Sequence, residues 1–192
     1  LRYGDGCFET MRMINGSIIN AELHFNRLYS TFDILGYHIP TGYSPQYFYG
    51  LIAELAKRNG HEENGRIRMT FWDGDGGLFD AFNDPPRFII QTYALGSPVL
   101  KLNEKGLSVD IFRDAQKPCD RYAPLKTNSF LPYLMAAKWA KRTGLDDHII
   151  LNPFGNVADT TIANLFVIQN GKIRTPALSE GCIDGVMRRY LI

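Results

Sequence analysis

The chain has 192 residues, 45% of them hydrophobic and 21% charged, with a formal net charge of +1. That length can bury a sizeable core as one large domain or two small ones. The near-zero net charge supplies no field to recruit nucleic acid or an anionic membrane. No apolar run approaches the roughly 20 residues a helix needs to cross a bilayer. Cys7, Cys119 and Cys182 are odd in number, widely spaced and without a CxxC pair, which reads as reduced thiols in a cytoplasmic protein.

Residues 7–14 alternate roughly between apolar and polar, and Asn15-Gly16 leads into Ser17-Ile18-Ile19. That pattern predicts a hairpin with a type I′ turn. Leu23, Phe25, Leu28, Phe32 and Leu35 recur at helical spacing until Gly36, which predicts a helix over 21–36 with Arg27 inside it. A second helix is expected from Ser44-Pro45 to Asn59-Gly60, with Ser44 as the cap and Pro45 in the first turn. Residues 66–72 and 87–93 read as paired strands joined by an acidic, glycine-rich loop over 73–86.

Gly96-Ser97-Pro98 is a compact cluster of chain breakers near the middle and is the expected boundary between two lobes, 1–95 and 96–192. Beyond it, 107–112 reads as a strand and 113–123 as an irregular polar loop. Residues 129–142 read as a helix that Gly144 ends, with Pro132 in the first turn. Strands are expected at 148–151 and 164–169, the latter turning at Asn170-Gly171 into 172–174. Gly185 begins a short helix that Asp184 can cap. This mixture of hairpins and helices argues an α+β or mixed α/β fold in two lobes. The leucine at position 1 and the short terminal helix read as the ends of a piece of a longer chain.

The sequence holds no nucleophile-elbow motif, no P-loop and no paired-cysteine metal site. The four histidines are far apart. Gly74 to Gly77 does not lie between a strand and a helix, so it lacks the context of a dinucleotide-binding turn. Among eight lysines, Lys57, Lys138 and Lys141 fall on helix surfaces, and Lys105 and Lys117 fall in loops. Lys126 differs, because Ala123-Pro124-Leu125 precede it and Thr127-Asn128-Ser129 lead into a helix. Partial burial there would lower its proton affinity by desolvation, as an imine-forming amine requires.

Five stretches carry a family resemblance: RYGDGCFETMR (2–12), LHFNRLYST (23–31), LKTNSFLPYLMAAKWAKRTG (125–144), VADTTIANLFVIQNGKIRTP (157–176) and GCIDGVMR (181–188). In this order and spacing they resemble the class IV, fold-type IV pyridoxal-phosphate enzymes. That group includes the branched-chain and D-amino-acid aminotransferases and the aminodeoxychorismate lyases. The resemblance implies a two-lobed, D-amino-acid-aminotransferase-like α+β fold, pyridoxal 5'-phosphate as cofactor, a small-molecule amino substrate and a homodimer.

It also implies roles for individual residues. Lys126 matches the Schiff-base lysine, which also moves protons at the substrate. Arg27 matches the arginine that grips the cofactor phosphate, a use suited to a planar charged fork. Gly185, Val186 and Met187 match the turn whose backbone N–H groups hold that phosphate. Asp159 stands where the family has a glutamate that pairs with the pyridine nitrogen and keeps the ring protonated.

Departures from the family pattern are Asp159, one methylene short, Asp184 beside the phosphate turn, and Met187 in place of a threonine. Cys7 in GDGCF, ANLF at 163–166 and GVMR at 185–188 lean towards aminodeoxychorismate lyase. Phe8-Glu9-Thr10 and Arg27-Leu28-Tyr29-Ser30 look equally like D-amino-acid aminotransferases. A non-catalytic cofactor-binding homologue is the remote alternative that Asp159 and Asp184 raise.

Overall fold

The structure is a computed structural model that describes residues 4–74, 85–96 and 103–192. The chain divides into two compact units, one made of Leu1–Lys101 with Lys126–Ser129 and the other of Leu102–Leu125 with Phe130–Ile192. Most of the expected acidic loop and residues 97 and 98 of the expected lobe boundary lie outside the described residues.

The first unit contains β1 (Cys7–Ile14), β2 (Ser17–Ile18), α1 (Ala21–Leu35), α2 (Pro45–Arg58), β3 (Asn64–Trp72) and β4 (Arg87–Ala94). Its strands form one sheet in the order β2-β1-β3-β4, antiparallel at every pairing. The expected β3–β4 pair is present, and β1 lies against the other edge of β3. Asn15 and Gly16 both have positive φ, 49° and 75°, as a type I′ turn requires of its two central residues. Both helices end and begin as their sequence signals predict. Gly36 closes α1 in the left-handed region at φ 74°, and the Ser44 side chain accepts the Tyr47 N–H at the start of α2.

Alternation along the strands sends Cys7, Met11 and Met13 of β1 and Ile67, Met69 and Phe71 of β3 into one core. Phe25, Leu28 and Phe32 of α1 and Phe48, Ile52 and Ala56 of α2 cover it. Phe71 meets Phe32 and Phe48 edge to face, with ring centroids 4.9 and 5.3 Å apart.

The second unit contains β5 (Val109–Phe112), α3 (Leu131–Thr143), β6 (Asp147–Leu151), β7 (Val157–Thr160), β8 (Val167–Gln169), β9 (Lys172–Arg174), a 3₁₀ turn at Leu178–Glu180 and α4 (Val186–Leu191). β5 and β6 pair in parallel, with α3 in the crossover between them, and β7 pairs antiparallel with β6. Tyr133, Ala136 and Ala140 form the buried face of α3. Tyr133 and Ala136 cluster with Phe112 and Ile150.

Three details differ from expectation. β7 is not among the expected strands, because a short Val-Ala-Asp-Thr run centred on a charged residue is a poor strand former in isolation. The strand expected at 164–169 is confined to Val167–Gln169. Asp184 does not cap α4. Gly185 occupies that position without a side-chain cap, and Asp184 pairs with Arg189.

Candidate active site

Lys126 belongs to a four-residue segment that extends the sheet of the first unit. The Lys126 carbonyl accepts the Phe8 N–H at 2.9 Å, Thr127 bridges to Cys7, and the Asn128 N–H reaches the Gly6 carbonyl at 2.7 Å. Gly6 permits this approach. A Cβ there would lie 2.3 Å from Nδ2 of Asn128 and 2.6 Å from the Phe71 carbonyl. The side chain of Lys126 is half-buried, and its Nζ lies 4.7 Å from the centre of the Phe8 ring. The aromatic face favours the cation while leaving the amine on an apolar surface.

One residue further along β1, Glu9 is 1% exposed. Arg27 donates to it from Nε and Nη2, both at 2.7 Å, and Nδ1 of His24 lies 2.8 Å from its Oε2. The bidentate fork fixes the plane of the Arg27 guanidinium inside the first unit. Burial works to raise the Glu9 carboxyl, but hydrogen bonds from His24 and Arg27 and the Arg27 charge outweigh it. Glu9 therefore titrates below its ordinary value.

The second unit holds Asp159 in β7, opposite Ile150 of β6 and 2% exposed. Its Oδ2 accepts the Tyr133 hydroxyl at 2.9 Å and the Ile183 N–H at 2.7 Å, and its Oδ1 accepts Nδ2 of Asn164 at 3.0 Å. Burial pushes this carboxyl up to about 6. The three hydrogen bonds and the charge of Lys117 oppose that rise without cancelling it.

Asn164 also donates to the Ile183 carbonyl at 2.7 Å, so Asp159 and the turn that precedes α4 are fastened by two shared residues. Gly185 lies against Asn164 so closely that a Cβ would come within 1.9 Å of Oδ1. Val186 is buried and Met187 is exposed.

The structure thus brings Asp159 together with the Gly185–Met187 turn, while Lys126 and Arg27 are features of the first unit. Sequence reasoning passed over Glu9, Tyr133, Asn164 and Lys117. Glu9 did leave a signal, because a charged residue interrupts the face of β1 that otherwise reads Cys7, Met11, Met13. Lys117, which reads as an ordinary loop lysine, is only 7% exposed. It donates to the carbonyls of Ala123 and Gly181 at 2.6 and 2.8 Å. Nothing local in the sequence announces that burial.

The family profile described as "Amino-transferase class IV" matches residues 6–192, and the chain belongs to that family. Its members are pyridoxal-phosphate enzymes with the fold-type IV, α+β architecture. Among curated relatives, the aminodeoxychorismate lyase of Bacillus subtilis is 28% identical over 193 residues, covering 99% of this chain and 64% of its own. Among solved structures, the branched-chain aminotransferase of Thermoproteus uzoniensis, determined with norvaline, is 25% identical with a TM-score of 0.85. That match covers 100% of this chain and 65% of the other. The branched-chain amino acid aminotransferase of Escherichia coli shares the fold at 20% identity and a TM-score of 0.85, covering 100% of this chain and 64% of that one. The chain spans about two thirds of the length of the first relatives, 66% and 65%.

Proposed function

We propose that this chain carries the cofactor-holding part of a pyridoxal 5'-phosphate-dependent enzyme that acts on the primary amine of a small substrate. Two observations bear on whether its residues fit that cofactor. A carboxylate has about four acceptor positions, and among the described residues three donors reach Asp159, which leaves one position on Oδ1 for the N–H of a pyridinium. A Cβ at position 185 would run into Oδ1 of Asn164, so glycine there keeps Asn164 against both the turn and Asp159. The residues fit. The open acceptor position on a buried, pre-oriented carboxylate is the observation that carries the reading.

In this reading Lys126 would hold the cofactor through Nζ, Asp159 would face the ring nitrogen, and Arg27 with Gly185, Val186 and Met187 would hold the phosphate. Pyridoxal phosphate, when bound, supplies an aldehyde that captures amines and a protonated ring that accepts electrons from the bond being broken. The chain's own contribution is to keep Asp159 ionised beside that ring and to move a proton. Lys126 would take it from the substrate carbon bearing the amine and return it elsewhere. Asp159, shorter than the family's glutamate, is compensated by the donors that hold it in place. Borohydride reduction of the full protein loaded with pyridoxal phosphate, followed by peptide mapping, tests the assignment. A pyridoxyl adduct on Lys126 is expected, and its absence would end the enzyme reading at its first step.

The reaction we propose is pyruvate elimination from 4-amino-4-deoxychorismate, giving 4-aminobenzoate. GDGCF, ANLF and GVMR support it, as does similarity to the Bacillus subtilis lyase over nearly the whole chain. Transamination of a branched-chain or D-amino acid is the second reading, supported by the likeness to the Thermoproteus uzoniensis aminotransferase over the whole chain. The two differ in where the proton goes. Adding an L- or D-amino acid alone and following the cofactor spectrum separates them. Pyruvate release from aminodeoxychorismate without conversion to the pyridoxamine form supports the lyase, and stoichiometric conversion supports transamination. By the family's habit, the working protein would be a cytoplasmic homodimer.

A further inference from the structure

Lys117 is a buried cation of the second unit that the proposed chemistry does not use. Its Nζ donates to two carbonyls, those of Ala123 and Gly181, as an ammonium with three protons and no acceptor does. Both partners are neutral, so the charge itself is left to be balanced by a more distant group. The aromatic ring of Tyr133 lies under it, 5.4 Å from Nζ to the ring centre, and the hydroxyl of the same tyrosine donates to Oδ2 of Asp159. Tyr133 is 3% exposed and Asp159 2%, so little water screens a charge on either side of that ring.

We propose that Lys117 is the standing counter-ion of Asp159, acting across Tyr133, and that Lys117 and Tyr133 are positioning residues that keep the ring-facing carboxylate charged and aimed before any cofactor arrives. The proposal rests on the reading of Asp159 as the carboxylate that faces the pyridine nitrogen. A short aspartate cannot follow a moving partner as a glutamate can. A fixed hydroxyl on one side and a fixed charge behind it supply the aim that the missing methylene gives up.

The electrostatics agree in direction on both partners. Burial lowers the proton affinity of Lys117 and the charge of Asp159, with smaller effects of Cys182 and Asp120, raises it, while the Lys117 charge lowers that of Asp159 against the effect of its burial. Cys182 also faces Asp159, and burial pushes its thiol up and so keeps it neutral. Tyr133 is likewise held as a neutral hydroxyl by its burial and by Asp159. Lys117 is thus a cation whose charge acts on this carboxylate.

The test follows the Asp159 carboxyl by carbon-13 NMR as a function of pH in the full chain, with Asp159→Asn to assign the signal. Wild type is compared with Lys117→Met, Lys117→Arg and Tyr133→Phe. Lys117→Met and Tyr133→Phe should each raise the titration midpoint by about one pH unit, a roughly tenfold gain in proton affinity. Lys117→Arg should restore the wild-type midpoint. An unchanged midpoint in Lys117→Met, in protein that melts cooperatively, would overturn the inference whatever Tyr133→Phe does. If Lys117→Met fails to fold, Lys117→Gln, which removes the charge but keeps a donor for the Ala123 and Gly181 carbonyls, decides in its place.

A second arm reads the ring nitrogen of bound pyridoxal phosphate by nitrogen-15 NMR. The protonated fraction at pH 8 should fall in Tyr133→Phe and Lys117→Met and return in Lys117→Arg. A carboxyl that shifts without any response at the ring nitrogen would leave the counter-ion in place and reject the cofactor-facing role of Asp159. The failure of either idea is thus seen separately.

Discussion

Arg27 and Glu9 meet through two hydrogen bonds of 2.7 Å each, with Nε on Oε1 and Nη2 on Oε2, and neither residue is more than 6% exposed. Removing one partner of such a pair leaves a buried charge uncompensated. Glu9→Gln should therefore cost about 3–5 kcal/mol of stability, measured by urea unfolding of the full protein. It should also weaken phosphate binding if Arg27 serves there, because the guanidinium plane loses its anchor.

The same carboxylate predicts a pH dependence. Its folded-state proton affinity lies below the ordinary 4.5, so its contribution is present above that value and disappears as pH falls through the folded-state one. Acid unfolding of the wild type should steepen below about pH 4.5. In Glu9→Gln that steepening should be absent, and an identical acid limb in both proteins would contradict the assignment.

Asp159 acts with the opposite sign. Its value rises from 3.8 to about 6 in the folded protein, so the folded state holds the proton more tightly. Stability is therefore lost as pH climbs across that window, by up to about 3 kcal/mol. In cofactor-free protein the melting temperature of Asp159→Asn relative to wild type should rise between pH 4 and pH 7. A difference that stays flat across the window would count against a strained carboxylate there.

Lys126→Ala should abolish the borohydride adduct and turnover while changing stability by no more than about 0.5–1 kcal/mol. The bonds that fasten this segment to β1 come from its backbone, and the ammonium adds a cation–ring contact on a half-buried side chain. A large loss of stability on thermal melting would show that the side chain holds the fold instead.

Gly185→Ala carries a different expectation. A methyl group there meets Oδ1 of Asn164, whose amide also holds Asp159 and the Ile183 carbonyl. Overpacking of this kind costs about 1–3 kcal/mol. Displaced Asn164 should then release Asp159, so affinity for pyridoxal phosphate should fall by roughly tenfold or more, or about 1.4 kcal/mol. Asn164→Ala alone should weaken binding by a similar factor in an equilibrium titration, and adding Gly185→Ala to it should cost little more, because both act through the Asn164 amide.

Much of the fold was legible in the residues themselves. Asn15-Gly16 specifies its turn, Ser44-Pro45 opens α2, and Gly36 and Gly144 end α1 and α3, because each acts on backbone groups within a few positions. The candidate site residues were nominated only through family resemblance, since a half-buried lysine before a helix has no spacing of its own. Tertiary structure alone decided which groups surround them. Tyr133 reaches Asp159 across 26 positions, Arg27 reaches Glu9 across 18, and Lys117 reaches the Gly181 carbonyl across 64. Periodicity and capping report the neighbours a residue has along one helix or strand. The partners that charge, orient and bury Asp159 come from α3, the turn before α4 and a loop, and they meet only when the second unit closes its core.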